Sequence, residues 1–599
     1  MAIYYLVDPL LQAQKNKRGE THYPAYIPEI LSRLGVPFCA WHPNSPAFFA
    51  KGDVLLTGKD TLSPETVSKL SESVKKGLTL IGFSTGGSES LFGINTEKTI
   101  NQPNGEFSLT GYFAIDPSVK KFYMNVPEDQ PKLPVFSPVV QIRTAKAEIL
   151  GNIQANGESY AGFLRYRDEN GTEAFYFAFD LPQTLLISAQ GKPVTEPADG
   201  WSVGRLPMAR VTPLDYNTEI AYGDYYLYIL QNIFADLGYA MLHRLPLSEN
   251  GKVPDFALYY AGDEDACDPA ISTDAAAFMA GRGLPYHINL MPFGENMEFR
   301  LSPAQFDELR KNGCELALHY DMTGNSGKYY IFSEENFRRQ YRAYLQHFGV
   351  PSISTVGHCL THNGWAERMR FLEKIGVRGD FERCGEYDPV DINAFDKYGF
   401  AFGTAFPSFP YDDAEHNNRK IDLAEAPIAY YEPRIGEKYP DGADRIARCL
   451  EYASYFGRMI NLFTHPHYLT DLSGYNSAMT KAALDRTLAY IKEKGKDVIH
   501  SAPDRICEFW RGRSRSSVLS VLSVISETSG FENTQNYYVA SECEALIVRI
   551  PVDDCNSVLK LSIDKNDTAP VYKNVDGRLW LMAPVIGIGG HIIDITRKV

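Results

Sequence analysis

Asp255-Phe-Ala-Leu-Tyr-Tyr-Ala-Gly-Asp263-Glu264-Asp265 is a run of strand-forming residues that ends in three consecutive carboxylates. Aromatic and aliphatic residues suit a pleated, buried surface, so the run predicts a strand. Carboxylates at the C-terminal tip of a strand are where α/β barrels place metal ligands and general bases. A second apolar run, Cys314-Glu-Leu-Ala-Leu-His319, ends in a histidine, and Val356-Gly-His358 and Asn461-Leu-Phe-Thr-His465-Pro-His467 follow the same plan. An acid cluster and separate histidines meet at one point only if these strands lie side by side in one sheet or barrel. The pattern is that of a metal hydrolase in degenerate form.

Outward from this core, residues 250–505 alternate strand and helix signals. Ser302-Pro303-Ala-Gln-Phe-Asp-Glu-Leu-Arg-Lys-Asn-Gly313 is a capped helix stopped by glycine that feeds the His319 strand, and Met479 to Lys494 is another amphipathic helix. Residues 1 to about 100 read as an open parallel sheet: strands Ile3 to Val7, Asp53 to Thr57 and Leu78 to Phe83, with a helix near Pro28 to Leu34 and another opened by Ser63-Pro64-Glu65. From about 105 to 205 alternation and hairpins predict a β-rich insertion, marked by Asn170-Gly171 between two strand-like runs. A helix from Tyr222 to Leu237 follows, and beyond Arg511 alternating strands predict a small β-sandwich. The expected layout is an α/β chain of three units: 1–245, a distorted (β/α) barrel over 246–508, and a C-terminal β domain over 511–599.

The chain has 599 residues, too many for one core, and its 44% hydrophobic fraction is that of a globular protein. A net charge of −15 argues against nucleic-acid or anionic-lipid surfaces, which need clustered Lys and Arg. The nine cysteines form no C-x-x-C pair and read as reduced thiols. Met1-Ala-Ile-Tyr-Tyr-Leu-Val-Asp-Pro reads as a first strand and not a leader, and no run is long enough to span a bilayer, so a cytoplasmic enzyme without a membrane partner is expected.

The middle unit resembles the polysaccharide deacetylase (NodB homology) superfamily, a distorted (β/α) barrel whose members remove N- or O-acetyl groups from sugars with a divalent metal. The family's Asp-Asp motif corresponds to Asp263-Glu264-Asp265, which implies Asp263 as the base and either Glu264, by direct alignment, or Asp265, by its shorter side chain, as metal carboxylate. His-Ser/Thr-x-x-His corresponds to His319-Tyr-Asp321-Met-Thr, which keeps the first histidine and loses the second. The third ligand then comes from Asp321 or from His358, in Gly357-His358-Cys-Leu-Thr-His362-Asn-Gly-Trp365, a segment that lacks the family's Arg and Pro. Leu-x-x-His survives as Leu462-Phe-Thr-His465 and implies an acetyl-pocket leucine and a catalytic acid. The implied set is Asp263 and His465 in catalysis, Asp265, His319 and His358 on a divalent ion such as zinc, and Leu462, Trp365 and Asp321 toward a carbohydrate substrate.

Residues 1–100 resemble class I glutamine-amidotransferase-like domains, whose catalytic members carry a cysteine on the turn after a strand such as Leu78 to Phe83. Here the turn reads Ser84-Thr85-Gly86-Gly87, and no His and acid partners for a serine nucleophile follow, so a non-catalytic scaffold is expected. Two other readings of the whole chain stand beside the deacetylase one. A metal-free glycoside hydrolase would use two carboxylates among Asp263, Asp265, Asp321 and Asp380. A catalytically degenerate barrel would only bind glycans, with Trp365 and the aromatic stretch Phe400 to Tyr411 stacking on sugar rings. His287 is expected to line the core.

Overall fold

The computed structural model describes residues 1–119, 131–195, 219–322, 331–360, 362–384, 395–400, 402–525 and 532–598. Its first sheet has nine strands in the order Phe38–Trp41, Ile3–Leu6, Val54–Thr57, Thr79–Phe83, Glu173–Phe177, Glu158–Arg167, Glu148–Ala155, Gly111–Ile115 and Leu133–Val135. The first five run parallel. Val54–Thr57 and Thr79–Phe83 are buried at every position, as near-continuous apolar runs in a parallel sheet should be. The remaining four strands are antiparallel. These strands extend the same sheet. Asn170-Gly171 closes the hairpin that pairs Arg167 with Glu173, and Gly171 takes a φ of 78° there. Residues 120–130 and 196–218 of that expected insertion lie outside the described residues. Ser84 sits on its turn with a φ of 53°, and among the described residues its buried hydroxyl has no hydrogen-bond partner.

The second sheet carries the quoted strand. Its order is Lys397–Tyr398, Tyr430–Tyr431, Met459–Phe463, Phe256–Asp263, Tyr286–Leu290, Cys314–Tyr320, Ser354–Gly357, Gly379–Cys384 and Ala424–Ile428, with Val498–Ser501 also paired to Phe256–Asp263. All neighbours are parallel except Lys397–Tyr398. The sheet curls into a half-barrel, so that Ala424–Ile428 approaches Met459–Phe463. Phe256–Asp263 is buried throughout and central. Gly262 allows the Thr464 carbonyl and the Tyr286 hydroxyl to pass where a Cβ would sit, which draws the chain leading to His465 against the tip of this strand.

Two further sheets face each other. Met241–Leu242, Ala545–Pro551, Arg578–Ile586 and Val571–Val575 form one, and Ser517–Ile525, Glu532–Ser541, Gly589–Lys598, Val558–Ile563 and Asn566–Thr568 the other. Leu546, Val548 and Leu581 meet Val539, Ile593 and Ile595 in their shared core. Met241–Leu242 joins this pair from far upstream, so the C-terminal layers are not built from the tail alone. Among the described residues no helix is long and apolar enough to cross a membrane.

Candidate functional site

Parallel pairing in register brings the strand tips to one rim. Asp263 lies opposite Asn289, His319 opposite Val356, and Tyr260 opposite Leu462, three residues before His465. Beyond Asp263 the chain turns sharply, with Asp265 and Ala266 at φ values of 48° and 55°. The left-handed region is unfavourable for residues with a Cβ, and such conformations concentrate at functional sites. Cys359 and Leu360, just after His358, share it at 57° and 53°, as does Glu432 at 46°.

The turn separates the two carboxylates between which the motif could not choose. Glu264 faces away from the imidazoles, accepts a hydrogen bond from Met291 N at 3.1 Å, and is pushed up to about 8 by burial. Asp265 faces inward: its Oδ1 lies 3.3 Å from His319 Nε2 and 3.4 Å from His358 Nδ1. The two imidazoles approach to 3.3 Å, and Asp263 Oδ2 lies 3.5 Å from the same His319 Nε2. His465 Nε2 closes the group at 3.7 Å from Asp265 Oδ2 and 4.0 Å from Asp263 Oδ2.

His319 Nδ1 is 2.9 Å from the Val356 carbonyl oxygen, which can only accept. A proton on Nδ1 satisfies that carbonyl, and Nε2 is the nitrogen that faces the cluster. Asp265 Oδ1 is buried between these imidazoles, and among the described residues no contact to it meets hydrogen-bond geometry. The ligand atoms of Asp265, His319 and His358 lie within 4.8 Å of one another. Two imidazoles and a carboxylate held this close are a donor set of catalytic zinc sites. Burial pushes the Asp265 carboxyl up, but the surrounding imidazoles hold it well below the usual carboxylate range. Burial leaves Asp263 raised, although His319 and His465 draw it down.

Glu432 escaped the sequence reading. It follows the two-residue strand Tyr430–Tyr431, is fully buried, and accepts hydrogen bonds from His465 N at 2.8 Å and from His465 Nδ1 at 2.6 Å. Burial lowers the affinity of His465 for a proton, yet the Glu432 hydrogen bond and the two aspartates raise its pKa to about 9. A strand this short has no periodicity, so no signal in the sequence marks Glu432. Asn289 also went unnoticed: its Nδ2 donates to Asp263 Oδ1 at 2.9 Å. Its Oδ1 lies 3.1 Å from His287 Nε2, and His287 Nδ1 lies 3.1 Å from Glu315 Oε2. His287 is thus buried, as a core residue would be, but within a polar chain that ends on Asp263.

The remaining expected residues are all buried. Leu462 is buried beside Tyr260 and Tyr430. Asp321 is buried with its N–H bonded to Gln340 Oε1 at 3.0 Å, and it is not part of the three-residue ligand set. Trp365 is packed as core: its indole N–H donates to the Tyr411 carbonyl at 2.9 Å and its ring lies against Phe107, which leaves little surface for a sugar. Asp380 makes a two-pronged pair with Arg368, at 2.7 and 3.0 Å, inside a buried network with Glu382, Arg383 and Glu425.

Neither a protein-family model nor any curated protein sequence matches the chain. Solved structures with partial likeness include carbohydrate-active enzymes. A β-galactosidase from Bacillus circulans sp. alkalophilus is 15% identical with a TM-score of 0.25 over 36% of each chain, so this chain spans about a third of that enzyme. A candidate polysaccharide deacetylase of O-antigen biosynthesis from Bordetella bronchiseptica is 14% identical with a TM-score of 0.26, over 39% of this chain and 91% of its own. The Xyl-CE4 domain of a multidomain xylanase from the hindgut metagenome of Trinervitermes trinervoides is 12% identical with a TM-score of 0.23, over 41% of this chain and 86% of its own.

Proposed function

We propose that the chain is a metal-dependent hydrolase that removes acetyl groups from a poly- or oligosaccharide. The observation that supports this reading most strongly is the convergence of Asp263, Asp265, His319, His358 and His465, from separate strand tips, on one small volume. Asp265, His319 and His358 would hold the ion, and a divalent ion such as zinc supplies Lewis acidity when bound. Asn289 fixes Asp263 Oδ1 and leaves Oδ2 toward the cluster, oriented to take a proton from an attacking water. His465, with Nδ1 held by Glu432, carries its Nε2 proton at neutral pH and delivers it to the departing amine or alkoxide. Two titratable groups with opposed roles, one acceptor and one donor, on the same rim are the signature of paired acid–base chemistry.

The glycosidase reading has less support. Asp263 and Asp265 reach the same imidazole nitrogen instead of flanking a sugar-sized gap, and Asp380 is committed to Arg368. The test is Asp263→Asn assayed on acetylated xylan and acetylated chitooligosaccharides. Retained ion with acetate release abolished is expected. Unchanged acetate release in this variant would remove Asp263 from the chemistry, and a wild type that releases no acetate would leave the glycan-binding reading ahead.

A further inference from the structure

Away from the histidine cluster, a solvent-open cavity of about 270 Å³ lies at the edge of the first sheet, with walls that include Lys15, Tyr23, Lys59, Gln102, Asp180 and Gln183. It lies over the C-terminal ends of the parallel strands Val54–Thr57, Thr79–Phe83 and Glu173–Phe177, the edge where open α/β sheets receive ligands. Asp180 follows the last of these strands and caps the helix Leu181–Gln190, accepting from Gln183 N through Oδ1 at 3.1 Å. The residue is 1% exposed, and among the described residues its Oδ2 has no hydrogen-bond partner. Lys59, on the facing strand end, makes no hydrogen bond or ion pair among the described residues. Burial pushes the Asp180 carboxyl up to about 6, with Lys59 near enough to draw it down but not paired with it. A buried acceptor and a free ammonium thus line one space without meeting.

The rest of the wall is rigid and two-way in its hydrogen bonding. Gln183 Nε2 donates to Gln102 Oε1 at 3.2 Å, and Tyr23 OH donates to Glu106 Oε1 at 2.6 Å. Lys15 is paired with Asp60 at 2.7 Å, so the cavity does not present the surplus of positive charge that an anion needs. Its volume is below that of drug-sized pockets, which begin at about 300 Å³. We propose that this cavity is a second binding site, for a neutral polyhydroxylated ring of monosaccharide size, with Asp180 and Lys59 as acceptor and donor to its hydroxyls. The site shares no residue with the histidine cluster and does not depend on the hydrolase reading.

The test is calorimetric titration of the full chain with D-glucose, D-galactose, N-acetylglucosamine and inorganic phosphate. Wild type is compared with Lys59→Ala, Asp180→Asn and His319→Ala. Asn keeps the helix cap, and Lys59 is half-exposed with no partner to lose, so both first variants should fold. Saturable binding of at least one sugar is expected, weakened about tenfold or more by Lys59→Ala and by Asp180→Asn and unchanged in His319→Ala. Failure of all three sugars to bind overturns the proposal. So does sugar binding that survives Lys59→Ala but is lost in His319→Ala, or phosphate binding that Lys59→Ala abolishes.

Discussion

Glu432→Gln keeps the shape of the side chain and its hydrogen bond to His465 but removes the charge. Burial lowers the His465 pKa, and the hydrogen bond to the Glu432 carboxylate, followed by the charges of Asp265, Glu432 and Asp263, brings it to about 9. Without the Glu432 charge, and with an amide as the weaker acceptor, the value falls toward the ordinary 6.5 of histidine, which is the limit of the effect because the Asp265 and Asp263 charges remain. A general acid must be protonated, so turnover follows the imidazolium fraction. At pH 8 this is about 0.9 for a pKa of 9 and about 0.03 for 6.5, a loss of about 30-fold, whereas at pH 5.5 both exceed about 0.9 and the variants nearly coincide. A bound cation lowers both values together and shifts the window without closing it, so the whole profile decides. The assay is kcat against pH from 5 to 9.5 on an acetylated sugar with ion-loaded protein. The alkaline limb should move down by up to about 2.5 units in the variant. A uniform loss at every pH, or an unmoved alkaline limb, would show that Glu432 does not act through the proton on His465.

Asn289→Ala removes the hydrogen bond that orients Asp263. A bond to a charged acceptor contributes about 1.5–3 kcal/mol, so kcat should fall about 10- to 100-fold with ion content unchanged, and loss of the ion would place Asn289 in a different role. In the buried network, three carboxyls (Asp380, Glu382, Glu425) face two guanidiniums (Arg368, Arg383), so one carboxyl keeps its proton; burial puts Glu382 well above the usual range and Glu425 at about 7. Raised folded-state values contribute stability that is present below the unfolded value near 4.5 and lost as pH rises through the folded ones, so wild type should melt at progressively lower temperature from pH 5 to 9. Glu382→Gln imitates the protonated acid and should flatten that slope in thermal melts; parallel slopes would contradict it. Ser84→Ala should leave hydrolysis unchanged, because no base shares a hydrogen bond with that hydroxyl, and a large loss of rate would move the chemistry to the first sheet.

The strand tips were legible because each pairs a buried apolar run with a polar end: Phe256–Asp263, Cys314–Tyr320, Ser354–Gly357 and Met459–Phe463 all announce themselves, and their tips carry the cluster. The inward turn of Asp265 was not legible, since it depends on left-handed backbone that aspartate rarely adopts. Glu432 was hidden behind a strand of two residues, and Asn289 behind a polar residue inside an otherwise apolar strand, where alternation says nothing about partners across the sheet. The aromatic character of Trp365 decides nothing by itself: large rings fill cores as readily as they greet sugars, and in the structure the ring lies against Phe107 with its N–H on the Tyr411 carbonyl. The continuity of the first sheet through Glu158–Arg167 and Glu148–Ala155 was likewise invisible, because a hairpin looks the same whether it stands alone or extends a neighbour.

The central claim is that Asp265, His319 and His358 form a cation site, and metal content tests it most directly. Purified protein, analysed by inductively coupled plasma mass spectrometry after dialysis against zinc, cobalt or manganese, should hold about one divalent ion per chain. The ion should be absent in His319→Ala and in Asp265→Ala and retained in His465→Ala. No stoichiometric ion in wild type, together with acetate release that a chelator leaves unchanged, would contradict the account.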